Sequence, residues 1–177
     1  MRKETSGATL PELLVALVIL GAVTVMSIPS FNQGLVRHRQ HNLARALHGA
    51  MLNARSLAIS HNMRVIACPS RDSRTCSGQT DWENGWILFA DVNDERSLDA
   101  ENIVPLHVET GPFPGITAYG NQPLSRSFSY MGTGLSERLS GARLMGTIFV
   151  CAPGQNSIEV VMAGSGRPKI ERKQAPC

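Results

Sequence analysis

Four cysteines in 177 residues are too few for a scaffold held together by disulfides alone. The sequence has no Gly-x-Ser-x-Gly elbow, no phosphate-binding P-loop, and no Gly-x-Gly-x-x-Gly after a strand. Its carboxylates gather mainly in one stretch, which is not in itself a general acid/base pair. His38, His41, His48 and His61 form no His-Glu-x-x-His pattern. Neither the Cys68–Cys76 spacing nor the wide gap between Cys151 and Cys177 suits a zinc site, whose thiolates come two to four residues apart, and no Cys-x-x-Cys occurs. Asp91-Val92-Asn93-Asp94-Glu95 places oxygen donors at alternate positions, but Arg96 stands where a calcium loop needs glycine, so it is read as an acidic hairpin loop. No cofactor or metal is expected, and the chain is not expected to be an enzyme.

What the chain does have is an ordinary hydrophobic fraction, 42%, which excludes wholesale disorder. Its length suits one domain, two at most. Sixteen Gly and ten Pro predict many turns rather than a helical bundle. The net charge of +3 conceals a segregation. Basic residues dominate from 13 to 80 and acids from 81 to 109, and residues 167–177 are basic again.

Residues Leu13 to Ile28 carry no charge. As a helix this run would span roughly 24 Å at about 1.5 Å per residue, somewhat short of a hydrocarbon core of about 30 Å. Starting from Ala8 brings it near spanning length but places Glu12 inside or at its edge, where a carboxylate is costly without a partner. The run could be a buried core helix, a secretory signal, or a segment retained after cleavage upstream of it. A signal needs a small-residue cleavage site after the run, and Met26-Ser27-Ile28-Pro29 offers none.

Met-Arg-Lys-Glu-Thr-Ser-Gly7 followed by Ala-Thr-Leu-Pro-Glu-Leu-Leu resembles the leader of type IV pilins and pseudopilins, with matches at Gly7, Thr9, Leu10, Glu12, Leu13 and Leu14. The resemblance implies cleavage between Gly7 and Ala8 by a prepilin peptidase, methylation of the new amine, and assembly through Glu12. In lipid, that carboxylate and a neighbour's α-ammonium would relieve each other's desolvation. Ala8 replaces the usual Phe, and Pro11 the usual Ile or Val; proline is tolerated in a first helical turn.

Pro29 interrupts the apolar run. Beyond it Phe31, Leu35, Leu43, Leu47, Ala50/Met51, Ala54 and Leu57/Ala58 recur at helical spacing, predicting a helix to about Asn62. Its other face carries Arg37, Arg39, Arg45, Arg55 and the four histidines, with no acid between Leu13 and Arg71. Short strand-like runs follow at Met63–Ala67, Gly85–Ala90, Ile103–Leu106, Ser127–Tyr130, Gly146–Cys151, Ser157–Met162 and Arg167–Glu171. The expected fold is therefore α+β: a long N-terminal helix, membrane-spanning in its first half, packed on a small antiparallel β domain of six or seven short strands. The expected organisation is 1–7 leader, 8–29 transmembrane half-helix, 30–62 amphipathic half-helix, and 63–177 β-rich soluble domain. Trp82 and Trp86 are read as packing residues.

Arg64-Val-Ile-Ala-Cys68, Trp82-x-x-Gly85-Trp86 through Asn93, Ile148-x-Val150-Cys151 and Gly166-Arg167, taken in order, narrow the resemblance to the FimT/FimU/GspH branch. That branch comprises minor type IV pilins and the minor pseudopilin of type II secretion. The resemblance implies a single-pass inner-membrane protein with a periplasmic domain, incorporated into a pilus or pseudopilus. Its partners would be a prepilin peptidase, other minor pilins, and the major pilin or pseudopilins. Four cysteines in an exported domain allow three disulfide pairings; Cys68–Cys76 with Cys151–Cys177 is favoured, the first local and the second a tether for the C-terminus.

Gly166, Arg167, Pro168, Lys169, Arg172 and Lys173 form a basic C-terminal stretch with one acid among its cations. In the FimT part of the branch a Gly-Arg-x-Arg element at this place is linked with DNA binding. Here Lys169 replaces the second Arg, keeping the charge without the bidentate fork. Double-stranded DNA is thus a candidate partner, bound through phosphates and without base stacking.

Overall fold

The computed structural model describes residues 9–98 and 105–176, and within 22–31 its backbone only. The chain divides into two compact units, residues 1–35 and Val36–Cys177. Helix α1, Leu10–His61, belongs to both. It has Glu12 in its first turn, where a carboxylate complements the helix dipole. Its end is closed by a left-handed Asn62, φ 48°. The amide of Asn62 donates to the Ile59 carbonyl at 3.3 Å and that of Met63 to Ala58 at 3.2 Å, the pair of reversed bonds that satisfies the last free carbonyls of a helix.

In the first unit Leu10, Leu13, Leu14, Val15, Leu17, Val18, Ile19 and Leu20 are all more than half exposed. Among the described residues no helix is long and apolar enough to cross a membrane. The expected span, residues 8–29, includes Ala8 and the side chains of 22–29, which lie outside them.

The second unit contains eight strands among the described residues: β1 Arg64–Pro69, β2 Gly85–Asp91, β3 Pro105–Thr110, β4 Thr117–Gly120, β5 Phe128–Tyr130, β6 Gly146–Cys151, β7 Asn156–Met162 and β8 Pro168–Pro176. They form two antiparallel four-stranded sheets, ordered β3-β2-β1-β5 and β4-β6-β7-β8. The sequence reading expects six or seven strands. It misses β4, a four-residue strand of which only Ala118 is buried. It also places the third strand at Ile103–Leu106; among the described residues that strand is Pro105–Thr110, so it runs further than expected, and residues 103 and 104 lie outside the described set.

The main core lies between the second half of α1 and both sheets. Leu43, Leu47, Ala50, Met51, Ala54 and Ala58, from the stripe read in the sequence, are buried against Val65, Ala67, Trp86, Leu88, Ile148, Val150, Ile158 and Val160. Fully burying one such aliphatic side chain contributes about 1.5–3 kcal/mol. Alternate residues of β1 and β2 point the other way. Ile66, Cys68, Ile87 and Phe89 form a second cluster with Cys76, Leu98 and Leu139. This two-sided burial is why β1 reads as an unbroken apolar run.

The tryptophans pack as expected. Trp82 stacks on Phe128 at 5.5 Å and donates its indole N–H to the Leu124 carbonyl at 3.1 Å, while Trp86 stacks on Phe113 at 6.5 Å.

The turn between β7 and β8 requires glycine at Gly166, φ +74°, where a Cβ would sit 2.6 Å from the Gly134 carbonyl oxygen. Gly166→Ala should therefore combine left-handed strain of about 1–2 kcal/mol with this clash. Gly154, φ +69°, has open space around it and carries the strain alone. In thermal unfolding followed by circular dichroism, Gly166→Ala should melt several degrees below Gly154→Ala; equal midpoints would contradict the packing described.

Candidate assembly surfaces and their charge network

Glu12 lies in the first turn of α1 and is exposed. Gly7 and Ala8, the expected cleavage pair, lie outside the described residues.

Cys68 and Cys76 form a disulfide that holds the loop after β1 against the outer face of the first sheet. Asp72 organises the same loop. Its carboxylate accepts the Thr75 hydroxyl at 2.6 Å and the backbone N–H groups of Arg74 and Thr75, which together hold its pKa well below the usual carboxylate range. Cys151, at the end of β6, is also disulfide-bonded; its expected partner, Cys177, lies outside the described residues.

The basic C-terminal stretch is split by strand alternation. Gly166 is buried in the β7–β8 turn, and Arg167 follows it exposed, with no ion pair among the described residues. Lys169 and Lys173 lie on one face of β8. Lys169 pairs with Glu171 at 2.5 Å, and Lys173 approaches Glu171 at 3.6 Å and Glu159 at 3.9 Å. The Lys169 hydrogen bond is the main reason the Glu171 carboxyl titrates below its ordinary value. Pro168 and Arg172 occupy the opposite face. The six expected residues are thus contiguous in the fold but do not present four free cations to one side.

Arg64, quoted above only as the start of a motif, proves to be a hub. Its side chain is 5% exposed. It donates to Glu137 at 2.7 Å, to Asp94 at 3.2 Å and to the Ser129 hydroxyl at 3.4 Å, and lies 3.7 Å from Asp91. Asp91 in turn accepts the N–H groups of Glu95 and Arg96, which folds the 91–96 loop back on itself with Asp94 and Arg96 at positive φ. The acidic hairpin loop is thus largely committed to neutralising one buried guanidinium and to capping its own backbone. Arg96, then Arg64, hold the Asp94 carboxyl below its usual range.

Gln40 was also missed. It is buried, and its amide donates to the carbonyls of Val150 and Asn156, both at 2.9 Å. No sequence signal distinguishes it from its polar neighbours on the helix. For Arg64 there was a cue: a cation opening a strand that is otherwise wholly apolar.

The family model described as type II transport protein GspH matches residues 43–166. The chain belongs to this family. The match runs from Leu43, where α1 enters the core, to Gly166 at the β7–β8 turn. Among solved structures, the type IV minor pilin FimU of Pseudomonas aeruginosa strain PAO1 is similar in two crystal forms. One is 19% identical, with 78% of this chain and 96% of that one covered and a TM-score of 0.59. The other is 18% identical, with 76% and 98% covered and a TM-score of 0.56. The minor pseudopilin EpsH of the Vibrio cholerae type 2 secretion system is 11% identical, covering 73% and 92%, with a TM-score of 0.43. No curated protein matched the chain. At these identities the FimU likeness establishes a pilin-like α+β fold. Family and fold together make the chain a GspH-family protein with a pilin-like α+β fold.

Removing Arg64 would leave Asp91 and Glu137 without their buried cation. Arg64→Met should destabilise the protein by about 3 kcal/mol at neutral pH, the scale for breaking a buried pair. The depressed Asp94 carboxyl contributes stability that is present above its unfolded value and lost as pH falls through its folded one. Chemical denaturation of the parent should therefore show stability falling as pH drops below about 4, and the variant should show a shallower fall. Unchanged stability at pH 7 would contradict the hub.

Proposed function

We propose that the protein is a minor type IV pilin, a structural subunit held in the inner membrane by residues 8–29 with its β domain in the periplasm, and then drawn into a pilus. The observation that carries this is the first part of α1: in a member of this family, its apolar side chains are exposed and a lone acid, Glu12, stands in its first turn. A helix with such a surface requires a lipid or protein environment. A prepilin peptidase would cut between Gly7 and Ala8, and Glu12 would pair with the α-ammonium of a neighbouring subunit. A Cys151–Cys177 disulfide would tie the C-terminus to β6. The alternative within the family is a minor pseudopilin of a type II secretion system; deleting the gene would then abolish secretion and leave pili intact.

Glu12→Ala should leave membrane insertion intact while reducing the protein in sheared pili several-fold, as read by quantitative immunoblotting of membrane and fibre fractions. Normal incorporation would remove the assembly role of Glu12.

A second reading, contact with double-stranded DNA, is favoured by Arg167, exposed beside the Gly166 turn and unpaired among the described residues. With Lys169 and Lys173 engaged by acids, Arg167 and Arg172 would carry most of the phosphate contact. Arg167→Gln should weaken low-salt duplex binding by the detergent-solubilised full chain and lower the salt slope by about 1, and Lys169→Gln should have a smaller effect. Absence of salt-sensitive binding in the parent would dismiss this reading.

A further inference from the structure

Positions 37, 41, 45, 48, 52, 55 and 59 recur every three or four residues and so share one flank of α1. They are Arg37, His41, Arg45, His48, Leu52, Arg55 and Ile59. The flank is roughly 33 Å long at about 1.5 Å per residue. Strand β8 runs beside it. The register Ile158↔Arg172, Val160↔Ile170 and Met162↔Pro168 puts Pro168, Ile170 and Arg172 on the sheet face whose β7 residues are buried against α1. His48 Nε2 lies 3.3 Å from the Pro168 carbonyl oxygen. From that contact His41 is roughly 10 Å along the helix, and Arg172 is roughly 13 Å along the strand. Arg172 therefore comes level with His41. The imidazole there is held below its ordinary pKa first by burial, then by Arg172, Arg45, Arg37 and His38. At the other end Arg167 follows Gly166, which abuts Gly134, and Gly134 in turn lies against Arg55 and Ile59.

The seam so formed has a particular composition. Arg37, Arg45, Arg55 and Arg172 line it, none in an ion pair among the described residues; Arg37 donates only to the Gln155 amide oxygen. Both lysines of β8 face away, paired with acids. Between the arginines stand exposed aliphatics: Leu52 at 47%, Ile59 at 50% and Ile170 at 38%. Arginine mixed with apolar side chains and depleted of lysine and acid is the composition of a protein interface core rather than of a solvated face. Duplex DNA would match the cations but offers nothing to the aliphatics.

We propose that the seam between α1 and β8 is the docking surface for an acidic amphipathic helix of another subunit, with carboxylates opposite Arg37, Arg45 and Arg172 and apolar residues opposite Leu52 and Ile59. It rests on the subunit reading only in requiring a neighbour, and uses none of the residues through which Glu12 would act.

The test uses the full chain in detergent micelles. The probes are a fluorescent synthetic helix of about 24 residues, ~36 Å long, with Glu and Leu on one face, its Lys-for-Glu counterpart, a short DNA duplex, and phosphatidylglycerol vesicles. The Glu helix should bind and the Lys helix should not. Arg45→Glu with Arg172→Glu should weaken the Glu helix at least tenfold and create binding of the Lys helix. Leu52→Ser with Ile59→Ser should weaken the Glu helix about tenfold, some 1.4 kcal/mol. Glu12→Ala should change none of this, which separates failure of the docking surface from failure of the assembly reading. Each variant's melting curve is compared with the parent's; where charge reversal alters the fold, Arg45→Gln supplies the comparison. Tighter binding of duplex or vesicles than of the Glu helix, equal binding of the two helices, or indifference to these substitutions overturns the proposal.

Discussion

Everything in the second unit depends on one helix face being shared by two sheets. Leu43, Leu47, Met51, Ala54 and Ala58 supply a common wall for strands that otherwise belong to separate ladders. Neither four-stranded sheet is large, and each would leave an apolar face in water without the helix. The alanines at 44, 50, 54 and 58 matter as much as the larger residues, because small side chains let the sheets approach the helix backbone closely. The rest of the unit follows from this wall. The tryptophans fill the core around it, and the second cluster is the reverse side of strands whose first side is already engaged.

The helix and most strands were legible because their patterns are long and regular. The stripe from Leu43 to Ala58 has helical period, and Gly146–Cys151 and 157–162 are β-branched and bounded by turns. Asn62, a residue tolerant of positive φ, ends the helix where the periodicity fades. What escaped were features created only by tertiary pairing. β4 is short, flanked by glycine, and becomes a strand because β6 offers it a ladder from Thr117↔Cys151 to Gly120↔Ile148. β8 extends to Pro176, well past the expected run, because β7 templates it as far as Asn156.

The candidate sites were legible in a different sense. The sequence named the right segments and mistook the roles of some of their charges. The acidic middle was read as a hairpin loop with no partner named for its charges, and Asp91 and Asp94 turn toward Arg64, more than twenty residues earlier, while Glu137 reaches it from another loop. The C-terminal cations seemed a single cluster, yet the alternation of a strand sends the lysines to Glu171 and Glu159 and the arginine to the helix side. Segment charge can be counted along a chain. Which charge faces which is decided by registers that span more than a hundred residues, such as His48 with Pro168.

The two hydrogen bonds of Gln40 have a consequence for the helix as a rotor. A smooth apolar stripe against aliphatic strands fixes the distance between helix and sheet more firmly than the angle of the helix about its own axis. One amide clamped to carbonyls on both sides of the β6–β7 turn, Val150 and Asn156, removes that freedom at the point where α1 enters the core. The azimuth of every residue beyond it is then set, and a quarter turn of slippage would cost both bonds at once, one of them buried. Gln40 thus acts as an indexing pin: it decides which side of the helix the sheets conceal and which side a neighbour can meet.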